Sequence, residues 1–554
     1  MPIGPNGSAG VDTETLNMIL SAIDDFAAKR LPQDLLCELD AKDECPEDLL
    51  REMYGPQFGI HLLFIPEECG GMEGGAYDVY RVSEAIAKVD LGLGSAVLAT
   101  ALGLDPIAVG GTPEQKSKWM TQVAEQGWVV AYGVTEPTAG SDLAVIRTRA
   151  DPVEKDGQIV GYTLNGNKQF ITNGGIADLY TILARAPGGY TFFIVEKGAE
   201  GFSSGKPEDK HGIRISNTAP LTLEDVYVPV ENLLGGVEGQ GMAQAQEVFG
   251  YTRLMVAAFG LGAGVAALQR AVDYARERVQ AGSALLEKQA FTHKLLVPHA
   301  VRLMASRAYI EEIAHRIDAQ EGRLGTEGAI AKLVATEAGL AAAEAAIQAM
   351  GGYGYTKEYV VERIRRDVRI TTIYEGTSEI MEWTIARDRW RLHLQTRGQH
   401  FLQTAPPLDT LHARAPSVGA DVVAMALRAL GILMEQARQD RLTRNQHILF
   451  RLGEWIALAE TAASLAHYAA DQASMPEAVA VSGYDAPTVQ AMSRIYAREA
   501  ALRIASEGLR WLVGAQASVS SPALQQALDL PAIYQAQAGL LADSDLVADA
   551  LRGS

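Results

Sequence analysis

Cysteine is scarce: Cys37, Cys45 and Cys69 are the only three in 554 residues, all near the start and without metal-ligand spacing. That excludes a disulfide scaffold and a cysteine-built metal centre, and leaves reduced thiols as the plain reading. Net positive charge is missing too. The formal charge of −20 argues against a nucleic-acid partner, because a phosphate backbone demands a basic face, though an acidic ligand could still sit in a local basic pocket. The opening MPIGPNGSAG lacks the basic-then-apolar pattern of a signal peptide and the arginines of a transit peptide, so a soluble, cytoplasmic protein is expected. The longest apolar run, Leu254 to Leu268, is interrupted by glycines, flanked by Arg253 and Arg270, and shorter than a bilayer needs. It fits a buried bundle helix. No GxGxxG follows a strand, so any dinucleotide must be bound without a Rossmann turn. Internal repeats and low-complexity tracts are absent as well.

What remains is the composition of an ordered chain, 48% hydrophobic and 21% charged, long enough for two to four domains. Its 54 glycines and its alanine-rich stretches suit closely packed helices. Residues 1–127 read as a helical domain, with apolar residues at three- and four-residue spacing in DTETLNMILSAIDDFAAKRL and AYDVYRVSEAIAKVD. Residues 128–238 change texture to short β-branched and aromatic runs such as WVVAYGV, YTFFIVEK and LTLEDVYVPV. Asn165-Gly166 there gives a hairpin signal, since both residues tolerate positive φ. From 239 to 398 long helices return, broken near Gly282, Gly325 and Gly351-Gly352. Residues 399–417 are proline-rich and read as a linker. Residues 418–554 read as a helical extension, with helix starts at Asp485-Ala486-Pro487 and Ser521-Pro522. The expected fold class is mainly α with a small antiparallel β domain.

Two stretches carry chemistry. In YGVTEPTAGSDLAVIRTRA (132–150) and NGNKQFITNGG (165–175), Thr135, Ser141 and Thr172 put hydroxyls on or beside strand ends. The TAGSD turn exposes backbone N–H groups, and Phe170 offers an aromatic face. Such a surface can bind a polar heterocycle and a phosphate, although for any one of these residues an ordinary loop position is the better reading. In RDVRITTIYEGTSEIMEWTIARD (366–388), Glu375 sits between an apolar strand-like segment and a helix starting near Thr377-Ser378. There it either points into a cleft as a base, with its pKa raised if the cleft is apolar, or caps the helix. Spacing alone leaves both open.

Together the two stretches resemble the signature motifs of the acyl-CoA dehydrogenase family, over about residues 40–395. ERVQAG (277–282), QAMGGYGY (348–355) and DVYVPVENLLG (225–235) support the resemblance. It implies a helical domain, a β domain and a four-helix bundle, with FAD as cofactor and an acyl-CoA as substrate. It implies Glu375 as catalytic base. For the flavin it implies contacts from Tyr132, Val134, Thr135, Ser141, Phe170 and Thr172, with Thr377 and Glu379 as further contacts. Arg278, Gln280, Gln348, Gly351 and Gly352 match positions reaching the adenine and diphosphate end, usually of a neighbouring subunit. Ser141, Arg253, Tyr374 and Gly376 fall on the substrate side. Phe170 stands where the family often has Trp, and Ala281 where it commonly has an aromatic residue, which touches FAD affinity rather than chemistry.

The implied reaction is oxidation to a trans-2-enoyl-CoA, with the thioester oxygen held by the Glu375 backbone N–H and a ribityl hydroxyl, and with electrons passed to an electron-transferring flavoprotein. Branched-chain relatives carry the glutamate immediately before the bundle arginine, where this chain has Thr252. The first domain's pocket-lining helix has no basic residue, which disfavours a dicarboxylate substrate. On that helix, gapless extension from Pro106 places Gly94 at a chain-length position, with Ser95 and Ala96 beside it and Leu98 at the other, leaning towards long or bulky acyl groups, while close approach of two helices explains the glycine equally well. An acyl-CoA oxidase using oxygen and a non-catalytic flavoprotein scaffold are the rival readings. A nitroalkane oxidase would carry Asp at position 375, and a DNA-associated relative would need a basic C-terminal face. Residues 418–554 resemble the extension of very-long-chain acyl-CoA dehydrogenases, implying a homodimer. They also suggest peripheral membrane contact if Arg438, Arg441, Arg444 and Arg451 share one side of a continuous helix.

Overall fold

A computed structural model describes residues 10–322, 324–472, 481–515, 518 and 521–553. The chain divides into two compact units: one built up to Ala263 with returns at Ala314–Gly325 and Arg366–Ile370, the other from Gly264–Ile313, Thr326–Arg365 and Thr371 onward.

The first unit opens with helices α1 (Thr13–Arg30), α2 (Gln33–Lys42), α3 (Glu47–Tyr54), α4 (Ala76–Val89), α5 (Leu91–Gly110) and α6 (Pro113–Gln126). Sequence sets their ends. Asp90 caps α5 by accepting from Leu93 N at 2.8 Å, and Thr112 with Gln115 makes a capping box on α6. α5 is apolar on every face and buried along most of its length. α5 and α7 (Gly241–Glu277) are long and apolar enough to cross a bilayer, but both are mostly buried in the fold. The first part of α7 belongs to this unit.

Strands β1 (Val130–Gly133), β2 (Arg149–Lys155), β3 (Gln158–Thr172), β4 (Leu179–Ala186), β5 (Gly189–Glu196), β6 (Phe202–Ser204) and β7 (Thr218–Pro229) form one sheet in the order β1-β4-β2-β3-β7-β6, with β5 on β4. Pairing is mostly antiparallel, but β1 and β2 each run parallel to β4. Asn165-Gly166 is not a hairpin. The two residues lie inside β3 at a bulge, where the Asn165 side chain exchanges hydrogen bonds with Asp225 of β7. A Cβ on Gly166 would come within 2.5 Å of Thr148, so the glycine answers a close approach rather than a turn. The actual β2–β3 turn is Asp156-Gly157, with φ of 53° and 76°, which suits the twist of the flanking strands.

The second unit contains the hairpin β8 (Val279–Gln280) and β9 (Ser283–Ala284), followed by α8 (Gln289–Leu295), most of α9 (Val297–Asp318), α10 (Gly325–Met350), α11 (Gly352–Tyr355), α12 (Val361–Val368) in large part and α13 (Ser378–Gln395). The helix breaks fall where the glycines predict. The segment before Glu375 is not a strand: Arg369–Thr372 forms a turn of 3-10 helix continuing from α12.

Beyond it, the 399–417 segment folds as α14 (His400–Arg414) instead of a linker. Pro406 and Pro407 remove two helical N–H donors, yet Phe401, Ala405, Leu408 and Leu411 form one buried stripe against α15 (Ala420–Gln439). Burial of that stripe outweighs the broken ladder. α16 (Gln446–Gln472) and α17 (Ala486–Gly514) complete the packing, with α18 (Ser521–Ala527), α19 (Leu530–Gln535) and α20 (Leu540–Gly553) outside them. Asp485 caps α17 through Thr488 N at 3.0 Å, and Asp543 of α20 pairs with both Arg494 and Arg498 of α17. The proposed arginine face does not form. Arg441 takes φ 55° at a break between α15 and α16, so the four arginines share no continuous helix, and Arg438 and Arg451 pair with Glu435 and Glu454.

The bundle is tied to these added helices by buried charge. Arg389 of α13 lies 2.9 Å from Glu327 of α10 and 2.6 Å from Glu460 of α16. Close by, Gly453 of α16 passes against the Glu382 backbone with no room for a Cβ. Burial first, then the hydrogen bond and charge of Glu454, push the Glu382 carboxyl up to about 8, although Arg451 opposes this. Glu382 therefore holds its proton more tightly in the folded chain than in the unfolded one, and stability falls as the pH rises from the ordinary carboxylate range to about 8. Glu382→Gln is expected to raise the melting temperature near pH 8 and to leave it almost unchanged near pH 5. A thermal-melt pH series checks this.

Candidate active site

The predicted residues fall into two groups, one on each unit. On the first unit, Val134 and Thr135 follow β1, and Phe170 and Thr172 end β3. The two strand ends are held by a buried ion pair. Lys168, fully enclosed on β3, donates to Glu136 at 2.8 Å, to Leu183 O at 2.7 Å and to Val134 O at 3.2 Å. Glu136 in turn accepts from Arg147 N, Thr148 N and Thr148 Oγ1. Gln169 N donates to Thr135 O at 2.9 Å, which fixes Thr135 beside β3. Burial drags the Lys168 ammonium down to about 8 in spite of its partner. Burial alone would raise Glu136, but Lys168 and the Thr148 and Arg147 donors hold it below the ordinary carboxylate range.

Phe170 is left-handed, φ 58°, and 63% exposed. A bulky residue in that conformation is strained. Val134 packs its side chain in the core, and its carbonyl accepts from the enclosed Lys168. Tyr132 tilts against Phe192 with ring centroids 5.8 Å apart. Ser141 is exposed beside Gly140, where a Cβ would meet nothing within 4 Å. Arg253 lies on α7, with Nη1 donating to Gly325 O at 3.3 Å.

A Cβ on Gly94 would lie 3.4 Å from Ile86 of α4 and 3.5 Å from Phe259 of α7, ordinary contact distances, so helix packing by itself does not require the glycine.

On the second unit, Ala281 and Gly282 are the two turn residues of the β8–β9 hairpin, with φ of 46° and 85°. Arg278 and Gln280 are exposed on it, and the Arg278 guanidinium lies 5.8 Å from the centre of the Tyr353 ring. Gln348, Gly351 and Gly352 are exposed on the same unit, next to Tyr353 in sequence. Thus Arg278 and the 348–353 segment share one exposed cluster. Tyr353 brings it an aromatic face although position 281 is alanine.

Glu375 is half-buried at φ 54°, followed by Gly376 at φ 93°. It does not cap the next helix. Thr377 does, accepting from Ile380 N at 3.3 Å. Lys332 of α10, 1% exposed, donates to the Gly376 carbonyl. Ser378 Oγ donates to Glu337 at 2.6 Å, and Glu379 is exposed in the first turn of α13.

Lys168, Glu136 and Lys332 were not among the predicted residues, yet a signal existed. Tyr162, Leu164 and Lys168 share the inward parity of β3, and an inward lysine requires a carboxylate. Lys332 sits among Ala329, Leu333 and Thr336 on a buried helix face.

The surfaces fit FAD. Gly140 and Gly352 have no left-handed φ, and a Cβ on either would meet nothing, so nothing in the fold requires glycine there. Open backbone of this kind admits a diphosphate, and the exposed Phe170 ring suits a flavin.

Comparison with known proteins agrees. Family models for the acyl-CoA dehydrogenase N-terminal, middle and C-terminal domains match residues 13–127, 131–226 and 239–389. The chain is 39% identical over 378 residues to the short-chain specific acyl-CoA dehydrogenase of Megasphaera elsdenii, covering 66% of this chain and 96% of that one. It is 36% identical, with a TM-score of 0.64 over 68% of this chain and 98% of the other, to a chain in a structure described as the electron transferring flavoprotein of Acidaminococcus fermentans. The acyl-CoA dehydrogenase of Bacillus anthracis, solved with FAD, matches 98% of this chain and 96% of its own with a TM-score of 0.82 at 24% identity, so its likeness in fold extends through the C-terminal helices. The chain belongs to the acyl-CoA dehydrogenase family, a family of FAD-dependent oxidoreductases.

Proposed function

We propose that the chain oxidises an acyl-CoA thioester to the trans-2-enoyl-CoA, with Glu375 as the base that takes the α-proton. The observation that carries this reading is the Glu375 backbone. A non-glycine residue held at φ 54°, outside the helix cap and followed by a second left-handed residue, is a costly arrangement that presents one carboxylate at one angle. Bound FAD supplies an acceptor for the β-hydride. The protein contributes the rest. The Glu375 backbone N–H hydrogen-bonds the thioester oxygen, stabilising charge as the α-proton leaves, and the carboxylate receives that proton.

FAD is proposed to be held by Tyr132, Val134, Thr135, Ser141, Phe170 and Thr172 on the first unit, with Thr377 and Glu379 on the second. Arg278, Gln280, Gln348, Gly351 and Gly352 are proposed for an adenine and diphosphate end. Ser141, Arg253, Tyr374 and Gly376 are proposed on the substrate side. An electron-transferring flavoprotein is the proposed acceptor, supported by the similarity to a chain from the Acidaminococcus fermentans structure.

Anaerobic titration with acyl-CoA thioesters of graded length tests the reading. Bleaching of the flavin band by at least one of them is expected, with re-oxidation slow in air and fast with an electron-transferring flavoprotein. Rapid re-oxidation by oxygen alone would make the protein an oxidase, and no bleaching by any thioester would make it a scaffold.

A further inference from the structure

We propose that Lys332 is a positioning residue for the reaction: its ammonium locks the Gly376–Thr377 peptide, one residue past Glu375, and so fixes where the carboxylate points. The inference rests on Glu375 being the base.

Lys332 and Lys168 are the two lysines among the largest fully buried side chains, and burying an ammonium is expensive unless its donors are used. Lys332 lies on α10, one of the most apolar helices, between Ala331 and Leu333, which are also buried. Its Nζ donates to the Gly376 carbonyl. That acceptor has no place in a helix ladder. The first carbonyl used by α13 is that of Thr377, which accepts from Met381 N at 3.0 Å. Thr377 also caps α13 through its side chain. The left-handed pair Glu375 and Gly376 is therefore pinned from its C-terminal side by two contacts, the Thr377 cap and the Lys332 ammonium. The cap fixes the start of α13, and the lysine holds the Gly376 carbonyl that lies between the cap and Glu375.

Left-handed backbone at a glutamate costs energy and relaxes when its supports are removed. A relaxed loop would swing the carboxylate away from the α-proton, and displacement of about 1 Å can lower a rate by about 10²-fold. Binding of the thioester depends on many other contacts and should change little. Lys332 is thus expected to act on the rate of the chemical step rather than on affinity.

Three variants test this in the FAD-loaded full chain. Lys332→Met, which keeps the volume and loses the donor, should lower the rate of flavin reduction about 10-fold to 10²-fold, with FAD content and the dissociation constant for enoyl-CoA product within about twofold. Lys332→Arg, which keeps a charged donor, should recover most of the rate. Hydrogen–deuterium exchange gives a readout independent of turnover. The Thr377 amide, in the same peptide as the Gly376 carbonyl that Lys332 holds, should exchange faster in Lys332→Met than in the unmodified enzyme. Wild-type reduction by Lys332→Met overturns the proposal, as does equal loss in Met and Arg variants. If Lys332→Met does not fold, Lys332→Gln takes its place, and a wild-type rate of flavin reduction in that variant overturns the proposal. Glu375→Gln, measured alongside, separates the two ideas. A wild-type rate in that variant removes the base assignment itself, whereas slow Glu375→Gln with fast Lys332→Met removes only the role of the lysine.

Discussion

Glu375→Gln should hold FAD and bind acyl-CoA almost normally while flavin reduction by substrate falls about 10²-fold or more, the loss expected when a general base is removed. The amide matches the carboxylate in shape and hydrogen-bonding reach, so the left-handed turn at Glu375 and Gly376 and the Thr377 cap should persist. What disappears is the ability to accept the α-proton. Stopped-flow absorbance under anaerobic conditions measures the step directly, and FAD content and product binding report on the rest. A near wild-type rate would mean that the base is elsewhere. Loss of FAD in the same variant would mean that the carboxylate supports the fold. The prediction sets the two uses of a helix-junction glutamate against each other. If Glu375 only braced the junction, Gln would leave the rate unchanged or destabilise the chain.

Much of this was legible in the sequence because local chemistry and global fold agree there. Asp485-Ala486-Pro487 starts a helix in both readings, since an acceptor side chain and a proline in the first turn need no tertiary partner. The same holds for the breaks at Gly282, Gly325 and Gly351. The failures share a cause, which is that a distant partner changed what a local signal meant. Asn165-Gly166 looked like a turn, but Asp225 on β7 captures the Asn165 side chain at 3.0 Å and makes it a bulge. The prolines of 399–417 looked like a linker, but the apolar stripe of Phe401, Ala405, Leu408 and Leu411 finds α15. The arginines at 438–451 looked like one face only for as long as a helix was assumed to continue through Arg441.

The site divides along the same line. Motif residues such as Thr135, Thr172 and Glu375 could be named because they recur in a recognisable order. Their supports could not, because an inward lysine declares only that it needs a carboxylate. Nothing local says that Glu136, 32 positions earlier, is the partner of Lys168. The strain at Phe170 and Glu375 was equally invisible, since both residue types ordinarily avoid positive φ.

Lys168→Met should destabilise the chain by about 3–5 kcal/mol, because it leaves Glu136 as a buried charge without its ammonium. Both partners are almost wholly enclosed, so solvent cannot rescue the carboxylate. The Arg147 and Thr148 donors to Glu136 would remain and set the lower end of the range. Adding Glu136→Gln to Lys168→Met should recover part of the loss by removing the orphaned charge, and a double-mutant cycle from denaturant melts measures the coupling. The same variant should weaken FAD retention without touching Glu375, because Lys168 also donates to Val134 O and sits two residues before Phe170. Without it, the ends of β1 and β3 lose their common anchor, and the proposed flavin surface at Thr135, Phe170 and Thr172 loosens. Full FAD content together with a loss of under about 1 kcal/mol would show that the pair neither stabilises the sheet nor shapes that surface.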